Sequence, residues 1–168
     1  MTGFMTVASI PAPWGMIWMG STLKGLCGIS LRGGRAPLEA KARVWGLGVH
    51  DDPEANQGAI EQLREYFEGK REEFDLPLDL RGTRFQLRVW RALQAIPFGE
   101  TRSYKDIASE IGHPGAFRAV GQANGRNPVP IVIPCHRVLR SDGGIGGFSS
   151  GLDIKASLLA MEAARREV

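Results

Sequence analysis

Cys135, His136 and Arg137 stand side by side near the end of the run NPVPIVIPCHRVL, Asn127 to Leu139. The thiolate is the attacking form of cysteine, and a free thiol is only a few per cent ionised at neutral pH, so a nucleophilic cysteine needs a base or positive neighbours. His136 and Arg137 can supply both. In an extended chain adjacent side chains point to opposite faces. Contact between Cys135 and His136 therefore needs a break in the strand-like run or a bridging water, and Pro134 supplies such a break. The alternative reading of Cys135 is a small buried hydrophobe, and its charged sequel argues against it. Cys27, within Gly-Leu-Cys-Gly, lacks such neighbours and reads as core. His50 and His113 flank loops and read as surface or turn residues. The two cysteines and three histidines show no paired ligand spacing, so the expectation is two free thiols, no metal and no cofactor.

The elements that must position this segment lie upstream. Thr83 begins a helix in capping-box spacing with Gln86, followed by Phe85, Val89, Ala92 and Ile96 on one stripe until Pro97 halts it. Ser103 with Asp106 repeats the capping signal before Tyr104, Ile107, Ala108 and Ile111, and that helix ends at Gly112. A turn at His113, Pro114 and Gly115 leads to Ala116, Ala119, Val120 and Ala123. Two short helices joined by a tight turn are the helix-turn-helix pattern that docks proteins on DNA. Opposite the buried stripe of the second helix lie Arg118, Gly121, Gln122 and Gly125, a polar and small-residue edge that lets a polyphosphate approach closely. An ordinary helical hairpin is the competing reading.

The first half reads differently. Met5 to Ile10, Gly15 to Ser21 and Gly25 to Leu31 are predicted as strands of a small antiparallel sheet, with a further strand in Arg43 to His50. Ala55 to Glu68 carries Ala59, Ile60, Leu63 and Phe67 on one helical stripe. The predicted class is α+β, a small N-terminal antiparallel sheet with a helix and then a mostly helical C-terminal domain containing the helix-turn-helix. The boundary falls near Leu78, giving a supporting domain 1–78 and a DNA-binding, chemistry-bearing domain 79–168.

Charge follows the same division. Met1 to Leu78 holds 8 basic and 10 acidic residues, net −2, while Asp79 to Val168 holds 13 and 8, net +5. The second half is the part suited to a polyanion, with a mildly basic surface as the bland alternative. The first 23 residues carry no charged side chain, but Pro11, Pro13, Gly15 and Gly20 break them into pieces unlike a signal peptide or membrane span. The expected location is the cytoplasm and the expected state a monomer with no membrane partner.

Four blocks, SYKDIA from Ser103, RAVGQAN from Arg118, GRNPVPIVI from Gly125 and PCHRV from Pro134, stand in one order and spacing. Through them the chain resembles the O6-alkylguanine-DNA alkyltransferases, also called methylated-DNA-protein-cysteine methyltransferases, from Leu80 to Glu162. The first half resembles that family's N-terminal domain in layout only. The resemblance implies that Cys135 accepts the alkyl group from O6 of guanine, with O4 of thymine an open second substrate. It implies that His136 acts as base through a water, that Glu162 orients it, and that Asn127 braces the cysteine segment. Arg118 would fill the gap left by an extruded base, and Tyr104 would help rotate the nucleotide and bond the guanine. Val138 and the loop Gly147 to Ser149, with Phe148, would line the base pocket. Gly121, Gln122, Arg126 and Arg137 complete the expected DNA-facing and substrate set. The partner is double-stranded DNA containing O6-alkylguanine. Phe148 stands where the family commonly has tyrosine, and Ser150 where many relatives have glycine, which bears on pocket width. The zinc ligands of some relatives are not recognisable, since the first half offers only Cys27 and His50.

A thioether has no carbonyl for water to attack, so one alkyl group should be transferred per molecule. Three rivals remain at this point. A non-catalytic lesion reader would not need the thiol. A Cys/His hydrolase would turn over. A DNA-binding regulator would prefer particular undamaged sequences.

Overall fold

Alternating apolar residues and two glycine corners build the first sheet. Strands β1 (Phe4–Ala12), β2 (Gly15–Thr22) and β3 (Gly25–Ser30) form an antiparallel meander. Met5, Val7, Ile10, Ile17 and Met19 are buried between them and the helices. At Gly25 the backbone has φ +149°, and a Cβ there would lie 2.4 Å from the Pro77 carbonyl oxygen. Glycine therefore lets residues 77–79 run beside β3, where Leu26 and Pro77 share a 2.9 Å hydrogen bond and Asp79 N donates to Leu26 O at 2.9 Å. The paired residues belong to the first compact unit, which ends at Leu80, and the second begins at Arg81, just beyond Leu78. The structure is a computed structural model, and it describes residues 3–166.

The sheet is mixed rather than antiparallel. After β3 the chain forms helix α1 (Ala36–Val44), with Pro37 in its first turn and Leu38 and Ala42 buried. That helix is the crossover a parallel partner requires, and it delivers β4 (Gly48–Asp51) parallel to the outer edge of β1, giving the order β3-β2-β1-β4. The strand predicted from Arg43 therefore starts only at Gly48, because Arg43 lies in α1. Helix α2 (Gln57–Phe67) buries Ala59, Ile60 and Leu63 as predicted, and Tyr66 rather than Phe67 completes the stripe. Cys27 sits in the apolar cluster of Met5, Val7, Leu38 and Ala42.

The second unit is helical. Thr83 and Ser103 cap α3 (Arg84–Gln94) and α4 (Tyr104–Glu110), each through a reciprocal capping box. Gly112, at φ +82°, ends the second of these and opens the turn to α5 (Phe117–Gly125). Trp90 Nε1 on α3 donates to Ala123 O on α5 at 2.9 Å. Helix α6 (Leu152–Arg166) closes the unit.

The run from Asn127 to Leu139 is not a strand, contrary to its apolar pattern. Ile131 has φ +74°, uncommon for a β-branched residue. Prolines 128, 130 and 134 also supply no ladder donors. Only Val138–Leu139 is extended, as β6, and it pairs in parallel with β5 (Arg102–Ser103). Among the described residues no helix is long and apolar enough to cross a membrane.

Candidate active site

The irregular loop is fixed by side chains. Asn127 donates from Nδ2 to Ile133 O at 2.7 Å and accepts the Val129 amide on Oδ1 at 3.1 Å, an Asx arrangement that bends the chain. Pro134, at φ −80° and ψ 63°, centres a three-residue turn closed by Cys135 N donating to Ile133 O at 2.8 Å. A 3-10 turn, Cys135–Arg137, follows. This is the break in extended geometry that Pro134 foretold, and it turns the three side chains of Cys135, His136 and Arg137 away from strand alternation.

Cys135 is 4% exposed. Burial pushes its thiol up to about 11. A hydrogen bond from Asn127, the Lys155 ammonium, and the amides of Cys135 and His136 act in the opposite direction without winning. The sequence expectation that neighbours lower this pKa is thus reversed in the resting protein, because desolvation of a thiolate exceeds what those donors return.

Arg137 is the second correction. It is 5% exposed and faces Glu162, not solvent: Nε lies 2.8 Å from Oε1 and Nη2 3.0 Å from Oε2, while Nη1 donates to Ile96 O at 2.7 Å. It can neither meet DNA nor serve as the cation beside the sulfur. The Glu162 carboxylate also accepts from His136 Nε2 at 2.7 Å and from the Gly99 amide at 3.3 Å. Burial opposes ionisation of Glu162, but hydrogen bonds from His136 and Arg137 outweigh it and hold the carboxyl well below the usual range. Burial pushes His136 down, so the imidazole is neutral. A carboxylate can only accept, so Nε2 carries the proton and Nδ1 keeps its lone pair. Nδ1 is buried and has no hydrogen-bond partner.

Lys155 was not singled out from sequence. Its side chain is fully buried, and Nζ donates to Val138 O at 2.7 Å and Gly147 O at 3.1 Å. Burial lowers its pKa to about 8, against the charge of Cys135. The signal was present in the pattern of α6: Ile154, Lys155, Leu158 and Glu162 share its buried face, and two charged residues on an apolar stripe call for partners.

A cavity of about 840 Å³ opens beside this network, with Tyr104, Gly121, Asn124, Gly146, Phe148 and Leu152 in its walls. Ser149 also lines it, and its hydroxyl donates to Gly125 O at 2.8 Å, tying the loop to α5. Gly146, at φ +72°, passes so near that a Cβ would stand 3.0 Å from the Tyr104 hydroxyl. Cys135 is not in the lining. Its links to the cavity are Asn124, which donates to the Cys135 carbonyl at 3.3 Å, and Tyr104. Burial, followed by Cys135, raises the pKa of that phenol. Cys135, His136, Asn127 and Glu162 thus come together, and Val138 joins them through Lys155. Arg118, Gln122 and Arg126 lie exposed on or just after α5, and Gly121 is half-buried there. Among the described residues no group of three His, Cys, Asp or Glu side chains could hold a metal ion.

Fold and site together define a helix-turn-helix protein whose second unit sets the buried Cys135 beside a His–Glu–Arg network. Residues 84–164 match the family described as the 6-O-methylguanine DNA methyltransferase, DNA binding domain, and residues 5–80 match its ribonuclease-like domain. A methylated-DNA–protein-cysteine methyltransferase of Mycolicibacterium paratuberculosis is 60% identical over 115 residues, 68% of this chain and 70% of the relative. The same-named protein of Methanosarcina barkeri is 48% identical over 91% of this chain and 94% of its own length. The crystal structure of Mycobacterium tuberculosis OGT in complex with DNA superposes with a TM-score of 0.83 at 42% identity, covering 95% of this chain and 94% of that one. The chain belongs to the 6-O-methylguanine DNA methyltransferase family.

Proposed function

We propose that the protein repairs alkylated DNA directly, by one irreversible transfer of the alkyl group from O6 of guanine to Cys135. The observation that carries this reading is a buried thiol in the first position of a turn whose next residue is a neutral, Glu162-held imidazole with a bare Nδ1. A reading in which the cysteine is incidental has no use for that arrangement.

A stacked guanine hides its O6 substituent, so the nucleotide must leave the duplex, at a cost of roughly a few kcal/mol that a damaged pair lowers. Arg118, exposed near the start of α5, fills the space left behind. The base enters the cavity walled by Tyr104, Phe148 and Ser149, and the Tyr104 hydroxyl supplies a hydrogen bond to it. The cavity must shift to admit the alkyl carbon to Sγ. His136 Nδ1 takes the thiol proton through a water. Sγ attacks in line, the sulfur–carbon bond forms as the carbon–O6 bond breaks, and the electron pair remains on guanine, which takes up one proton. The proton lost by the thiol and the proton gained by guanine balance, so the site ends at its starting charge.

Lys155 joins the machinery in this reading. Its ammonium ties Val138 to Gly147 in the cavity wall, and its charge favours thiolate. Gly121, Gln122 and Arg126 carry the contact with the duplex, and Asn127 keeps the turn. The reaction needs a reduced thiol, for which the cytoplasm is the fitting compartment. The protein acts as a monomer on double-stranded DNA.

Mass analysis after mixing with a duplex containing O6-methylguanine tests the proposal. One methyl group should appear on the peptide holding Cys135, and no second turnover should follow. Repeated turnover, or methyl on another residue, overturns it. With Arg118→Ala, transfer from the duplex should slow more than transfer from the free alkylated base. Equal slowing removes the extrusion role.

A further inference from the structure

Helix α3 carries more charge than the helix whose outer edge suits DNA. From Leu80 to Gly99 the chain holds four arginines, no lysine and no carboxylate. Helix α5 holds one charged residue, Arg118. On α3 the buried side chains are Val89, Trp90 and Leu93, and Arg84, Arg88 and Arg91 are exposed. At 3.6 residues per turn these three arginines fall within an arc of about 60° on the side opposite the buried face, and they span about 10 Å of the helix axis. Among the described residues Arg84 and Arg91 make no ion pair or hydrogen bond. Arg88 Nη2 donates to the Ile111 carbonyl and its Nη1 stands 3.5 Å from His113 Nε2. Neither neighbour is an anion, so the charge of the row is not neutralised.

Packing fixes which way the row looks. Trp90 Nε1 donates to Ala123 O, and Val120 and Ala123 are buried, so α3 and α5 meet on those faces. Arg118 and Gln122 are exposed on the far side of α5, and the arginines lie on the far side of α3. A straight duplex against the outer edge of α5 therefore leaves the row open. Like charges in a row repel one another, and a polyanion removes that repulsion. Each strand of a duplex carries about one phosphate per 3.4 Å of axis, so 10 Å faces about three phosphates, one for each guanidinium. The guanidinium fork matches phosphate oxygens in pairs. A protein partner would instead seek an apolar centre to its interface, and none of the large apolar side chains exposed on the described residues belongs to α3.

We propose that Arg84, Arg88 and Arg91 form a second DNA surface, which holds the backbone of a separate duplex segment while α5 faces the first. The protein then bridges two segments and passes from one to the other without being released. Its contacts there are with phosphates alone, so the second surface is indifferent to sequence and to lesions.

The experiment uses the whole protein and two undamaged duplexes, one tethered to beads and one labelled in solution. At low salt the protein should carry the labelled duplex onto the beads, and its release from the tethered duplex should accelerate in proportion to the concentration of free duplex. The logarithm of affinity for the second duplex should fall against the logarithm of salt concentration with a slope of about −2.7, as three phosphate contacts require. A double variant, Arg84→Gln with Arg91→Gln, should lose both capture and acceleration. Its affinity for a single short duplex and its methyl transfer from an O6-methylguanine duplex should stay at their original values, which also shows that it is folded. No capture by the unaltered protein, or capture undiminished in the variant, overturns the proposal. So does a variant that loses affinity for the single duplex, because the row would then lie on the same duplex as α5. Failure of the unaltered protein to take methyl from a lesion-bearing duplex would instead remove the repair reading, on which capture does not depend.

Discussion

The two units bury cysteine in opposite ways. Cys27 lies in the antiparallel sheet at the register shift between β2 and β3, fully buried among apolar side chains, and its Sγ donates to Gly20 O at 3.3 Å. Cys135 lies in a loop that prolines keep out of any ladder, among a lysine, a histidine, an arginine and a glutamate that are all buried. In the first unit the buried polar groups are chiefly the neutral Ser21, Ser30 and Asn56, plus Asp79, which accepts from Thr22 at 2.6 Å. Regular backbone satisfies its own hydrogen bonds and needs little else. Irregular backbone leaves its carbonyls to side chains, and those side chains become available for chemistry. Lys155 illustrates this at Gly147, whose loop carbonyl, together with that of Val138 in β6, allows a buried ammonium to exist there.

The largest expected effect lies at the sulfur. Cys135→Ser should leave no measurable transfer from an O6-methylguanine duplex while lesion binding in a gel-shift assay persists, since a serine oxygen is a far poorer nucleophile at neutral pH. The resting thiol, raised to about 11, should in addition react with a small neutral electrophile about tenfold faster per pH unit between roughly pH 7 and 9. A plateau below pH 8 would mean that the sulfur is already ionised and that the contrast with Cys27 is one of charge rather than of partners.

Next comes Glu162→Gln. It leaves the Arg137 guanidinium buried without its counter-ion, which should cost about 3–5 kcal/mol in denaturant unfolding. It also releases the constraint that keeps the proton on His136 Nε2, so transfer should slow by about 10²–10⁴-fold. Loss of stability with transfer unchanged would reduce Glu162 to a structural partner of Arg137.

Much of this was legible in the sequence because local signals dominate there. Thr83 with Gln86 and Ser103 with Asp106 name their helix starts outright, and both capping boxes form. The helix-turn-helix and the Cys135-His136 pair are likewise local. What escaped is set by distant partners. Nothing near Gly48 announces that β4 will run parallel to β1. Nothing within Cys-His-Arg says that Arg137 will turn inward, because its partner lies on α6. The apolar pattern of Asn127 to Leu139 promised a strand, and the prolines together with the Asn127 side chain defeated it. Burial of the thiol is a tertiary quantity, and it reversed the direction of a pKa argued from neighbours alone.

Lys155 should show a smaller effect with a distinctive pH signature. Its folded pKa of about 8 lies below the ordinary 10.5, so between these values the unfolded chain holds more protons and stability rises with pH. Cys135 acts the other way between 9 and about 11, where the folded protein keeps the proton longer and stability falls as pH rises. The gain attributable to Lys155 should therefore appear between about pH 8 and 9 and be cancelled above it. Lys155→Met should erase that rise in urea unfolding. Transfer by the unaltered protein should decline above about pH 8 as the ammonium that joins Val138 to Gly147 is lost, and the variant should lack that decline.

Cys27→Ala is the mildest change and the sharpest control. It removes a weak donor from Gly20 O and leaves a small void beside Met5 and Leu38, for which about 1 kcal/mol is expected. Transfer to Cys135 should proceed at its original rate, because the hydrogen bonds that fix the Cys135 loop come from Asn124, Asn127 and Lys155. A variant that unfolds with a modestly lower urea midpoint yet takes one methyl per molecule would separate the two cysteines completely. If transfer fell along with the midpoint, burial of a thiol in the sheet would matter to the chemistry of the loop, and the division of labour between ladder and loop would not hold.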